Sequence, residues 1–252
     1  MKICTFSATG NSLYVARRLG GERLSIPQLM KQEHIEIADE AVGVVCPVYC
    51  GEMPKMVRRF LEKAKIETNY FFFVYTYGMQ DTVAIPNAAA AAQRVGLRLS
   101  YAASVRMVDN FLPGFEMQNQ IETAAQKQIE EQIEQVLREL SERKIKEFTL
   151  TLGKRAEMAM VHNTMGRMIL SDKAAQQYIV SGSCIRCGIC AKVCPAGNIT
   201  VTDRVRFADR CEVCYACVHN CPQNAIHLKR EQSAARFRNE HVTLQEIIEA
   251  NA

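Results

Sequence analysis

Through the first 145 residues the chain alternates between short apolar runs and apolar positions at three–four spacing. Lys2–Phe6 is a run that predicts a strand, and beyond it Leu13, Ala16 and Leu19 fall on one helical face. Val42–Cys46 predicts a second, buried strand, and the helix after Pro54 carries Val57, Leu61 and Ala64 on one side. Tyr70–Thr76 is an aromatic-rich strand ending at Tyr77-Gly78, and the alanine-rich stretch 83–95 predicts a third helix. A last strand falls near Leu97–Met107. Ile121, Ala125, Ile129, Ile133, Val136 and Leu140 then recur at helical spacing, which predicts one sheet-packing helix over 119–145. Thr243–Ala250 reads as a short terminal helix free to pack on either half.

Strands that alternate with helices predict an α/β fold, a doubly wound parallel sheet with crossover helices. Ligands in that architecture sit beyond the carboxyl ends of the strands. Three loops converge there: 7–12, 47–54 and 76–81. The first, Ser7-Ala8-Thr9-Gly10-Asn11-Ser12, joins a strand to a helix N-terminus through small hydroxyl residues. Backbone N–H groups, the helix dipole and the hydroxyls make such a loop an anion site. No lysine follows its glycine, so it is not a nucleoside-triphosphate loop, and G-x-G-x-x-G is absent. An N-capped surface helix would also account for its Ser and Thr.

The picture changes at the cysteines. Cys184-x-x-Cys187-x-x-Cys190-x-x-x-Cys194-Pro195 recurs 27 residues later as Cys211-x-x-Cys214-x-x-Cys217-x-x-x-Cys221-Pro222, and Ile199 recurs as Ile226. These are eight of the eleven cysteines, and they divide the chain into unlike halves. Three thiolates two residues apart wrap one iron–sulfur cube, while the fourth, followed by proline, leaves that loop and ligates the other cluster. The expected ligand sets are therefore Cys184, Cys187, Cys190 and Cys221 for one [4Fe–4S] cluster, and Cys211, Cys214, Cys217 and Cys194 for the other. Zinc sites use separated pairs rather than such triplets, and a disulfide framework needs a secretory setting. The N-terminus lacks the apolar stretch of a signal peptide and no segment approaches a membrane span, so a cytoplasmic protein is expected.

The 252 residues, 48% hydrophobic and 23% charged, suit a globular chain with a sizeable core. Residues 1–147 carry 18 basic and 18 acidic side chains, and residues 148–252 carry 13 and 9. Two dipositive clusters with four thiolates each bring about −4 to the second part and cancel its excess. A nucleic-acid partner is not expected, because no basic run interleaved with aromatics occurs.

The cysteine runs resemble bacterial two-cluster ferredoxins, and the three loops resemble flavodoxins. Ser7–Ser12 looks like the flavodoxin phosphate loop. Pro47-Val48-Tyr49 with Gly51, Thr76-Tyr77-Gly78, and Met107-x-x-Asn110-Phe111 resemble a bacterial and archaeal family that fuses a flavodoxin-like domain to a two-cluster ferredoxin. The sequence departs from that family at Met79, where a second glycine is expected, and at Val108, where proline is favoured. The resemblance implies a five-stranded sheet of order 2-1-3-4-5 that binds FMN over residues 1–147. It also implies a connecting segment over 148–177, a smaller ferredoxin-like α+β domain over 178–230, and a tail over 231–252. Tyr49 and Tyr77 are either flavin-stacking rings or rim residues, and Asn110 either caps a loop carbonyl or meets the flavin. Cys4, Cys46 and Cys50 are expected to be small buried residues, with a reactive thiol the alternative for Cys50 in its loop. His219, inside the second run, is expected to face solvent. Met158, Met160, Met165 and Met168 are expected to form adaptable packing between domains.

Electron transfer between FMN and two [4Fe–4S] clusters in one chain is the function that follows, with redox proteins or a small substrate as partners. The alternatives are a flavin-dependent reductase fed by the clusters, and an iron–sulfur module without flavin. A cluster-bearing segment of this size cannot be stabilised by burial alone, so it is expected to depend on its metal.

Overall fold

The computed structural model describes residues 1–81, 83–148, 151–166 and 170–251, apart from the side chains of residues 165 and 166. A parallel five-stranded sheet forms its centre. The strands are β1 (Lys2–Thr5), β2 (Glu22–Ser25), β4 (Ala41–Pro47), β6 (Tyr70–Tyr77) and β7 (Leu99–Arg106), in the spatial order β2-β1-β4-β6-β7. Counted within this sheet, the order is 2-1-3-4-5. β3 (Glu36–Ala38) and β5 (Lys65–Glu67) make a separate two-stranded parallel sheet.

Every residue of Ala41–Cys46 and of Tyr70–Thr76 is buried, because helices cover both faces of a parallel sheet and its central strands need no polar side. α1 (Asn11–Leu19) packs with α6 (Ile129–Ser141), and α3 (Lys55–Lys63) packs with the short α2 (Ile26–Leu29) and with α4 (Ala84–Arg94). Gly43 admits the Phe72 ring from the neighbouring strand; a Cβ at Gly43 would lie 2.1 Å from Phe72 Cζ. β2 has no fully buried residue, so no apolar run announces it, and its pairing with β1 alone fixes it at the sheet edge.

The helix expected over 119–145 is broken. α5 (Met117–Glu122) is followed by a 3-10 turn, and Gln128 adopts a left-handed φ of 49° before α6 begins. Ile133, Val136 and Leu140 are buried on the sheet as their spacing requires. Ile121 is 36% exposed, because α5 instead carries Met117 into the apolar cluster of the C-terminal half. The connecting segment holds a helix over Leu152–Val161 with no buried residue, and Met160 is 64% exposed there. The expected methionine packing is thus absent at Met160, and Met158 is only half-buried. Met168 and the side chain of Met165 lie outside the described residues.

In the C-terminal half the sequence repeat is also a repeat of backbone. The short helices Ile189–Lys192 and Ala216–His219 lie 27 residues apart, as do β9 (Ile199–Val201) and β11 (Ile226–Leu228). β9 pairs antiparallel with β10 (Val205–Phe207), and β11 with β8 (Tyr178–Val180). The left-handed residues repeat at the same interval: Arg186 with Val213, Gly188 with Tyr215, and Gly197 with Asn224.

The two halves share one core. Val193, Cys214, Ala216, Val242 and Ile247 belong to the apolar cluster built on the five-stranded sheet. The terminal helix Leu244–Asn251 packs on both halves, against α2 and against the short helix Ile189–Lys192, and its Ala250 carbonyl accepts from Ser25 Oγ at 2.5 Å. Ile247 is 1% exposed. Ile247→Ala is expected to destabilise the chain by roughly 2–5 kcal/mol. Denaturant unfolding that gives the same stability for variant and wild type would show that the tail is not part of the core.

Candidate functional site

Loops after β1, β4, β6 and β7 close around a cavity at the carboxyl edge of the sheet. Ser7, Ala8, Thr9, Asn11 and Ser12 line it from the first loop, and Pro47, Val48 and Tyr49 from the second. Thr76, Tyr77 and Gly78 line it from the third, and Val108, Asp109 and Asn110 from the fourth. Two expected members stand behind the wall. Gly10 turns the chain into α1 at φ 98°, and Gly51 turns the 49–52 bridge at φ 76°, its carbonyl accepting from Asn87 Nδ2 at 2.9 Å.

The hydroxyls of this cavity are poised as donors. Asn110 Nδ2 donates to Thr9 Oγ1 at 2.8 Å, which leaves the Thr9 proton for another acceptor. Ser12 Oγ and Thr76 Oγ1 pair at 2.8 Å, so one proton of that pair is likewise unspent. Asn11 Nδ2 donates to the Val108 carbonyl at 3.0 Å and ties the first loop to the fourth. Asn110 therefore braces a hydroxyl rather than capping a carbonyl. Tyr49 lines the cavity, while its hydroxyl is buried without a hydrogen-bond partner. Burial holds that phenol well above its usual pKa, and the charge of Cys214 acts in the same direction.

Asp109 was not anticipated. It adjoins the expected Asn110, and burial raises its carboxyl despite the hydrogen bond from Phe111 N–H. Gly78 makes room for it: a Cβ there would meet Asp109 Oδ2 at 2.1 Å.

The cysteines form two further groups. Cys194 joins Cys211, Cys214 and Cys217 around one small cavity. Cys221 joins Cys184, Cys187 and Cys190 around another. Each fourth cysteine is thus brought to the other run's triplet. The sulfurs of Cys194 and Cys221 each accept a backbone N–H at 3.3 Å, from Asn198 and Ala225, which are themselves equivalent in the repeat. None of the eleven cysteines is in a disulfide. Among the described residues no three His, Cys, Asp or Glu side chains converge on a single-ion site; the thiols ring cavities.

The two groups differ in burial. Residues 211–220 are all buried, whereas Ile185, Arg186 and Cys187 are exposed. Burial pushes the Cys190 thiol up to about 11, and it raises Cys214 and Cys217 well above the usual thiol value. Thiolates at such positions need a bound cation to compensate the lost water. Cys4 and Cys46 are fully buried and protonated for the same reason, while Cys50 is half-buried at a left-handed φ of 51°.

His219 does not face solvent. It is 5% exposed, its Nδ1 accepts from Phe237 N–H at 3.1 Å, and its Nε2 lies 2.9 Å from the Asn110 carbonyl. Nε2 must then carry the proton, so a neutral imidazole joins the second run to the loop that lines the first cavity. Burial lowers its pKa to about 4. The neighbouring Glu212 is also a joint. Its carboxylate accepts from Met56 N–H at 3.0 Å in the first turn of α3 and pairs with Arg59 at 2.6 Å. Neither role has a motif; isolated His and Glu look the same on any surface.

Comparison with known proteins bears on the cysteine-rich half. Residues 178–200 match the 4Fe-4S binding domain family. Over 48 residues the chain is 50% identical to a subunit of the ion-translocating oxidoreductase complex of Methanosarcina acetivorans, a stretch that is 18% of this chain and 18% of that protein. Less than a fifth of that relative's length is therefore represented. The solved Trp repressor binding protein from Bacillus subtilis is 10% identical, with a TM-score of 0.35 over 54% of this chain and 95% of that one. Among the described residues no helix is long and apolar enough to cross a membrane. The C-terminal half thus carries an iron–sulfur domain.

Proposed function

We propose that this chain transfers electrons between FMN and two [4Fe–4S] clusters that it holds itself. The observation that carries the reading is the presence in one chain of a hydroxyl-lined cavity at the sheet edge and two cavities ringed by four cysteines each, with His219 and Asn220 of the second run bonded to loops of the first cavity. The N-terminal part is read as a flavodoxin-like FMN domain over 1–147, supported by the sheet order 2-1-3-4-5. The segments 148–177, 178–230 and 231–252 are read as connector, two-cluster ferredoxin-like domain and tail.

The residues fit FMN through the donors of the first and third loops. The unspent protons of Thr9 and of the Ser12–Thr76 pair, with a helix N-terminus, suit one terminal phosphate. When bound, FMN takes up two electrons together or one at a time, whereas each cluster carries one. Thr9, Ser12 and Thr76 would hold the phosphate, and Tyr49 and Tyr77 would flank the ring.

Burial supports an order among the sites. The run 211–220 lies buried against the flavin-side loops, with Tyr215 6.1 Å from the Phe111 ring. The Cys184 group, with Cys187 and Ile185 exposed, stands toward solvent. Electrons exchanged with a separate redox protein would pass at that outer group. An electron carrier that meets such proteins agrees with the relative's name, which places it in an oxidoreductase complex.

The crossed ligand sets are tested by single replacements. Cys194→Ala is expected to perturb the cluster held by Cys211, Cys214 and Cys217. The paramagnetic resonance spectrum of the reduced variant should match that of Cys211→Ala and differ from that of Cys184→Ala. Grouping of Cys194→Ala with Cys184→Ala would contradict the crossing.

The phosphate assignment is tested by Thr9→Ala combined with Ser12→Ala. Each lost donor to a charged group costs roughly 1.5–3 kcal/mol. Calorimetric titration should therefore show FMN binding weakened by at least about tenfold, and unchanged affinity would refute the site.

A further inference from the structure

A loop that binds an anion through its N–H groups must turn its carbonyls away from the ligand. In the loop 7–12 three successive carbonyls are taken up outside the cavity, and the C-terminal half takes all three. Asn251 Nδ2 donates to Ser7 O at 3.2 Å, Asn220 Nδ2 to Ala8 O at 3.3 Å, and the Asn239 N–H to Thr9 O at 2.8 Å. The three asparagines are buried, at 2%, 4% and 7% exposure. The fit is close: a Cβ at Gly10 would meet Asn239 Cβ and Val242 Cβ, both at 3.0 Å.

Asn220 differs from the other two in where it stands. It follows the helix Ala216–His219, and both its N–H and its Nδ2 reach the Ala216 carbonyl at 3.0 Å. That helix bears Cys217 of one cysteine group, and the next residue is Cys221 of the other. The amide that holds Ala8 is therefore fixed from both sides by thiols of different groups.

We propose that Asn220 is a positioning residue that couples cluster loading to the phosphate loop, so that FMN and the clusters bind cooperatively. The proposal rests on the flavin reading given above. With the clusters in place, Cys217 and Cys221 are pinned and Asn220 keeps the Ala8 carbonyl out of the cavity. Without them the 216–221 segment loosens, and that carbonyl is free to turn its negative end toward the phosphate. Linkage is reciprocal, so bound FMN must protect the clusters by the same factor by which the clusters tighten FMN.

The test uses the full chain, cluster-loaded under anaerobic conditions. Iron release to a chelator is followed with and without saturating FMN, in wild type, Asn220→Ala and the isosteric Asn220→Asp, and FMN affinity is titrated in each. FMN is expected to slow iron release from wild type. In both variants that protection should largely disappear and FMN affinity should fall about threefold to tenfold, the worth of one hydrogen bond. Riboflavin, which lacks the phosphate, should protect less than FMN even in wild type. Absence of protection in wild type that binds FMN, equal protection in the variants, or equal protection by riboflavin would each overturn the coupling. Failure of wild type to bind FMN at all would overturn the flavin reading and the coupling with it, and the titration identifies that case separately.

Discussion

Burial of the second cysteine run is the constraint on which the rest of the structure depends. Residues 211–220 are enclosed between the five-stranded sheet and the first run, and burial drives the Cys214 and Cys217 thiols far from the thiolate form. A thiolate without compensation in such a place is strongly unfavourable. A bound iron–sulfur cluster reverses the balance by putting positive iron where water is missing. The same segment supplies Cys214 and Ala216 to the sheet's own apolar cluster. In the proposed reading metal and hydrophobic burial would stabilise one region, and the cysteine-rich half packs into the core of the sheet as well as following the connector.

The enclosed run also explains why its other residues are polar yet not at the surface. Glu212 meets the first turn of α3, whose Pro54 N-cap offers no side-chain acceptor, so the carboxylate supplies the missing negative end. His219 spans from Phe237 to Asn110, and Asn220 reaches Ala8. Three residues of one short segment thus fix the helix beside the cavity, its fourth loop and its first loop. A left-handed, non-glycine residue at Tyr215 is costly by order 1 kcal/mol. The equivalent Gly188 avoids that cost, but Tyr215 places a ring against both Tyr178 and Phe111, which a glycine cannot do.

The sequence makes some of this legible and hides the rest for physical reasons. β4 and β6 are unbroken apolar runs because both faces are covered, and the cavity-lining loops follow from where those strands end. The cysteine spacing carries the grouping of thiols because it repeats to the residue, and even the left-handed positions follow the interval of 27. β2 is invisible because an edge strand held by one neighbour needs no apolar face. The break at Gln128 is invisible because the apolar stripe runs through it while α5 leaves for the other half. His219, Glu212 and the three asparagines escape notice because their partners lie 109 to 244 residues away along the chain or, for Phe237, 18 residues away. Long-range polar contacts have no period to read.

The central claim is that one chain holds a phosphate-bearing flavin beside two clusters. Counting flavin, iron and acid-labile sulfide per chain in protein purified without air tests it most directly. The account predicts about one FMN with about eight iron and about eight sulfide per chain. Zinc with little sulfide would contradict the cluster half, and a full iron and sulfide content with no flavin uptake on addition of FMN would contradict the other.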